Sequence, residues 1–374
     1  MDFAMIETGW FSLIPPILAI TLALITKEVY SSLFVGLFSG MLIYMFAGGG
    51  NLVSAVSMTF DMMYSKISDN AYMIIFLALL WAVVMLVSKS GGSEAYGRWA
   101  GAKLKSKRSV AFATSLLGVL IFIDDGFNCL TVGTVMRPIT DRFRISREKL
   151  AYIIDATAAP VCIIAPVSSW AVAVASEVSE TGGFHIFLST IPYNLYAILT
   201  IVMVIFLSIT GKDFGPMKQA ETKALESTRS DADMEFQESK GKVIDLVLPI
   251  LVLIICAILG MAYVGGFFEG VSFSEAIGYN PTAGLSLGAF AGLITAMLLY
   301  LPRKLMTPKE FVGYIVEGIS NIVPPMMILI LSWSLGGVCR QLIGTGVFIS
   351  GFVSTPDYTR SSKKSYHTYI NSTK

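Results

Sequence analysis

Ile121-Phe122-Ile123-Asp124-Asp125-Gly126-Phe127-Asn128-Cys129-Leu130-Thr131 sets two adjacent aspartates in the middle of an apolar run. A carboxylate in hydrocarbon is costly, so an acid inside a membrane segment is by default an ion or proton site. The rest of the chain has a membrane composition: 54% hydrophobic and 14% charged residues, with a mean hydropathy of +0.69. Soluble domains carry about 25% charged residues. The net charge of +1 gives no pull toward nucleic acid.

Working outward, apolar windows at 10–26, 28–47, 70–88, 150–176, 186–209, 243–264, 281–301 and 322–343 approach the length of a spanning helix. The first has no basic residue ahead of it and so does not resemble a cleavable leader. Cys129, Cys162, Cys256 and Cys339 form no CxxC pair and read as small buried side chains. With only His185 and His367, a histidine metal centre is disfavoured, and no cofactor is expected.

Lys and Arg mark the cytoplasmic ends of spans. Residues 89–108 carry six (Lys89, Arg98, Lys103, Lys105, Lys107, Arg108) against Glu94, and 137–149 carry five against Asp141 and Glu148. Both loops therefore read as cytoplasmic. The 28 residues between them, 109–136, are too few for two crossings, so the charge bias predicts a re-entrant hairpin with Asp124-Asp125-Gly126 near its tip. The competing reading is a crossing helix that ends in a polar turn.

The chain also matches itself at an offset of 252 residues. Gly36-Leu37-Phe38-Ser39-Gly40 lies over Gly288-Ala289-Phe290-Ala291-Gly292, Ile67-Ser68-Asp69 over Ile319-Ser320-Asn321, Trp81 over Trp333 and Gly92 over Gly344. Five spans between the copies would invert the second relative to the first, an arrangement common in secondary transporters. The glycine pairs read as helix-packing faces. The expected fold is thus an all-α polytopic membrane protein: an inverted-repeat transporter with a re-entrant hairpin and a broken helix, its second repeat incomplete. Its parts are a first membrane half (1–209, hairpin about 109–136, broken helix about 150–176), a solvated cytoplasmic linker (210–242), an incomplete second half (243–353) and a polar tail (354–374). The tail stands where the register calls for an apolar segment, so truncation or a frameshift is expected, with completion of the site by a second copy as the rival.

Asp124 and Asp125 are followed by the oxygen-bearing Asn128, Thr131 and Thr134. Hard cations favour such oxygens. Adjacent buried acids also compete for protons, so one site can hold a cation or a proton, and Na+ is assigned to Asp124, Asp125 and Asn128. A helix cap at the tip is the plainer role for the same residues. Farther on, Asp155-Ala156-Thr157-Ala158-Ala159-Pro160 and Ala165-Pro166-Val167-Ser168-Ser169 put two prolines inside one span. Prolines free carbonyls, so Asp155, Thr157, Ser168 and Ser169 are further candidate ligands. Arg137 reads as a membrane-end anchor. Gly284-Leu285-Ser286-Leu287-Gly288 fits GxSxG but lies in a membrane helix without a partner histidine.

These motifs resemble the NhaC family of Na+/H+ antiporters. The likeness rests on Phe122-Ile123-Asp124-Asp125, on Asn128-Cys129-Leu130-Thr131 through Arg137-Pro138, on Ile145-Ser146-Arg147-Glu148-Lys149-Leu150-Ala151-Tyr152, and on Asp155 through Cys162. It implies a multi-pass transporter of the prokaryotic plasma membrane that exchanges Na+ for H+ and is no enzyme. Some relatives couple organic solutes instead, as in malate/lactate exchange or amino-acid uptake. Gly126 departs from the family, which usually has an aromatic there, and the chain lacks the later spans, which puts its activity in question. An intramembrane aspartyl protease would need a GxGD element, and none occurs. The expected partners are therefore the lipid bilayer, Na+, H+ and, in the alternative, a small organic solute.

A cysteine placed at Ser106 should react with a membrane-impermeant reagent only from the cytoplasmic side. Labelling from outside would overturn the charge-based topology.

Overall fold

The computed structural model describes residues 5–122, 124–166, 168, 170–171, 174, 183–226 and 240–353. Among these the regular elements are helices: α1 (Ile14–Thr26), α2 (Val29–Ala47), α3 (Leu52–Asp69), α4 (Ala71–Lys89), α5 (Gly92–Lys103), α6 (Lys107–Leu120), α7 (Asp125–Arg142) and α8 (Arg147–Cys162). They continue as α9 (Gly183–Thr190), α10 (Leu195–Thr210), α11 (Gly215–Glu226), α12 (Val243–Val264), α13 (Phe273–Tyr279), α14 (Pro281–Tyr300), α15 (Pro308–Gly337) and α16 (Thr345–Val353). Seven stretches, built on α1, α2, α4, α10, α12, α14 and α15, are long and apolar enough to cross a membrane. Leu24, Ile25, Val53, Leu199 and Leu298 stay exposed on these and neighbouring helices, as lipid-facing side chains do. The protein is an all-α polytopic membrane protein.

In the window expected as a broken helix, 150–176, the first helix stops at Cys162. Two other expected spans differ from the helices found. The window 186–209 is interrupted at Ile191–Tyr193, where Pro192 cannot continue a hydrogen-bond ladder and Asn194 restarts the helix by accepting from the Ala197 N–H at 3.2 Å. The last, 322–343, is only the second half of α15, which begins at Pro308. Its first half carries Lys309, Glu310 and Glu317, and the charges hide it from a hydropathy reading.

The chain forms two compact units. In one, residues up to 74 join those from 323 onward. Leu37, Met41, Tyr44, Met62, Val338 and Leu342 form its core. A methyl at Gly36 would stand 2.7 Å from Ala19 Cβ, and one at Gly40 2.7 Å from Val338 Cγ1, so glycine is what lets these backbones approach. α15 ends in a π turn, Val338–Leu342, whose Leu342 carbonyl accepts from Ile6 N–H at 2.8 Å.

The other unit holds residues 75–322. α12 and α14 pack along Gly284, Gly288 and Gly292, where a methyl at Gly288 would meet Ala257 Cα at 2.6 Å. Asp245, fully buried, closes this pair at one end. It accepts from Lys242 N–H at 2.7 Å and pairs with Arg303, and its backbone carbonyl accepts from Tyr300 OH at 2.6 Å. Part of the linker expected as a solvated loop is helix: α11 packs on α8 with Glu221 buried. Glu221 accepts from Ser146 N–H at 2.6 Å and lies 3.5 Å from Lys107 Nζ, while Asp213 pairs with Lys149 at 2.7 Å. These bonds tie the linker to the first turns of α6 and α8.

At the 252-residue offset α2 and α14 start together, at Val29 and Pro281, whereas the separate α3 and α4 fall on the single helix α15. Farther along, Gly91 and Gly344 both turn the chain at positive φ before a helix begins, one residue out of that register. The π turn supplies that residue, since an i→i+5 turn inserts one into a helix.

Asp245→Ala should lower stability by about 2 kcal/mol, because the partly exposed Arg303 loses its partner and the Lys242 N–H its acceptor. A detergent melting curve close to wild type would show that the pair contributes nothing.

Candidate functional site

The segment 107–142 is a helix, a break and a second helix. α6 starts at Ser106, whose hydroxyl accepts from Ser109 N–H at 3.1 Å. It ends at Leu120 and is about 21 Å long at 1.5 Å per residue. That is short of a hydrocarbon core of about 30 Å. Its buried face, Val110, Ala111, Thr114, Ser115, Leu117 and Gly118, recurs at helical spacing. Ser115 shares a 2.8 Å hydrogen bond with Ser208 of α10.

After the break, α7 begins with the aspartates. Asp124, extended at φ −151°, caps the helix by accepting from Phe127 N–H at 2.9 Å, and it is 6% exposed. Asp125 sits in the first turn and is half-buried. Both carboxylates thus occupy the end of α7 where the helix dipole favours negative charge. The capping role weighed for the tip is real for Asp124, and it leaves Asp125 as the acid that capping does not explain.

Asn128 joins the two helices. Its Nδ2 donates to the carbonyls of Gly118 at 2.6 Å and Ile121 at 2.7 Å, groups that the end of α6 leaves without helical partners. Both acceptors are oxygens, which fixes the amide's orientation. Asn128 Oδ1 is buried with no hydrogen-bond partner. A buried carbonyl oxygen left unpaired costs about 1–3 kcal/mol. Thr131 lies buried on the same helix, one turn further.

α8 closes the other side. Thr157 is fully buried, and its hydroxyl donates to Ile153 O at 2.7 Å. A methyl at Gly118 would stand 2.1 Å from Thr157 Oγ1, so glycine is required for α6 to approach α8 here. Asp155 lies on the exposed side of α8.

Ser168, a candidate ligand, is engaged by the chain itself. Its hydroxyl donates to Cys162 O at 2.7 Å and accepts from Ala171 N–H at 3.0 Å, filling the gap left where α8 breaks. The carbonyl expected to be freed for a ligand is taken by this side chain. Ser169 lies outside the described residues. Among the described residues no group of three or more His, Cys, Asp or Glu could hold a metal ion. A mixed carboxylate and amide site for a hard monovalent ion needs none.

Sequence reasoning passed over Trp81 of α4, whose ring stands against Gly126. The only signal for it was its match to Trp333 across the repeat.

A profile of the Na+/H+ antiporter family matches residues 171–360, beyond the motif segment itself. An uncharacterized protein of Haemophilus influenzae (strain ATCC 51907 / DSM 11121 / KW20 / Rd) is 32% identical over 372 residues, covering 95% of this chain and 71% of the relative. No solved structure matches.

Asn128→Leu keeps the branched shape but strands two carbonyls, and even with the unpaired oxygen removed it should lower stability by about 1–2 kcal/mol. A melting temperature equal to wild type would mean that the tip does not depend on this amide.

Proposed function

The chain belongs to the Na+/H+ antiporter family, and on that premise we propose that it exchanges Na+ for H+ as a secondary transporter of a prokaryotic plasma membrane. Within the family, its 121–162 motifs point to the NhaC type. The observation that supports the reading is the start of α7, where two adjacent carboxylates precede, on the same helix, a buried amide oxygen without a protein partner.

The chemistry follows from those groups. Na+ takes oxygen ligands, and Asp125, Asp124 and Asn128 Oδ1 offer an anionic and a neutral set together. Binding the cation favours ionised carboxylates, and taking up a proton neutralises one of them and weakens the hold on the cation. The two ligands exclude each other without any further device. Exchange then requires that the occupied tip open alternately to the two sides. Asp155, on the exposed side of α8, would serve as a further acid that exchanges protons with its surroundings.

Asp124→Asn is the cleanest test, because asparagine caps a helix as well as aspartate does while removing the charge. In everted vesicles carrying the 374-residue chain, Na+ should dissipate a pH gradient, and Asp124→Asn should abolish this while melting like wild type. Unchanged exchange in the variant would remove the role given to the tip. An Na+ flux evoked only by an organic acid or amino acid would replace antiport with solute uptake.

A further inference from the structure

Trp81 lies on α4, half-buried, between two glycines of other helices. A methyl at Gly318 of α15 would stand 2.4 Å from Trp81 O and 2.9 Å from Ala82 Cα, so the two backbones are in direct contact there. That contact fixes where the indole starts. Its far end reaches the hairpin, where a methyl at Gly126 would stand 2.9 Å from Trp81 Cζ2 and 3.2 Å from Asp124 Oδ1. The residue after the aspartate pair thus has no side chain, and an aromatic edge from another helix takes the space beside it.

We propose that Trp81 is a positioning residue for the transported cation. Its indole walls one side of the Asp124–Asp125 pair, holds the first turn of α7 in place and keeps water from competing for the carboxylates on that side. Aromatic edges carry partial positive charge, so the ring stabilises a carboxylate without accepting the cation itself. An apolar wall also makes the carboxylates more dependent on a bound ion, because charge left in a desolvated place is unfavourable. The consequence is control of cation affinity by a residue that donates no ligand. This inference rests on the antiport reading above.

Two measurements test it. In detergent, Gly126→Val should melt several degrees below wild type, and Trp81→Ala in the same chain should recover most of that loss. Additive losses would overturn the contact. In vesicles, Trp81→Ala should raise the half-saturating Na+ concentration about threefold or more while keeping much of the maximal rate. Trp81→Phe, which keeps an aromatic wall, should stay close to wild type. A variant that loses rate at unchanged half-saturation would overturn the positioning role and leave the antiport reading standing. A wild-type chain inert to Na+, with expression confirmed, would remove the antiport reading and this inference with it.

Discussion

One amide holds the centre of this protein. Where α6 stops, its last carbonyls have no helical partners, and hydrocarbon would offer them none. Asn128, one turn into α7, reaches back to two of them. The geometry makes a broken segment tolerable and has a second effect, because an amide that spends both hydrogens on carbonyls presents its oxygen elsewhere. That oxygen is buried and unpaired, on the helix that begins with the two aspartates. The structural solution and the candidate ion site are the same side chain seen from its two ends.

The surrounding contacts keep that arrangement in place. Gly118 lets α6 touch α8 at Thr157, and Ser168 satisfies the end of α8 where the helix breaks. At the basic end, Glu221 and Asp213 of the linker bind the starts of α6 and α8. A displacement of α11 would therefore be felt at the first turns of both helices. Ser168 and Glu221 are polar groups placed where a backbone would otherwise lack a partner, which is the main structural demand on a chain in lipid.

Much of this was legible in the sequence because bilayers impose simple rules. Basic clusters at 89–108 and 137–149 bound 109–136 too tightly for two crossings. The structure breaks that segment between Leu120 and Asp125. Prolines 160 and 166 marked the end of α8. What stayed hidden depends on partners far away in the chain. Asp245 reads as a stray charge at the edge of a span until Arg303 is beside it, and α11 reads as a loop until Glu221 finds Ser146. Ser168 looked like a ligand because its type and setting suit one, and only the Cys162 carbonyl shows that it is already engaged. The first half of α15 escaped notice because an amphipathic helix dilutes the hydropathy that marks a span.

The most direct measurement is the melting temperature of the purified chain in NaCl against KCl and choline chloride at equal ionic strength, above the pH at which its carboxylates are protonated. A ligand that binds only the folded state raises its stability. Na+ should therefore raise the melting temperature relative to the other salts, and Asp124→Asn should erase the difference. Equal melting in all three salts would contradict a Na+ site at the hairpin tip.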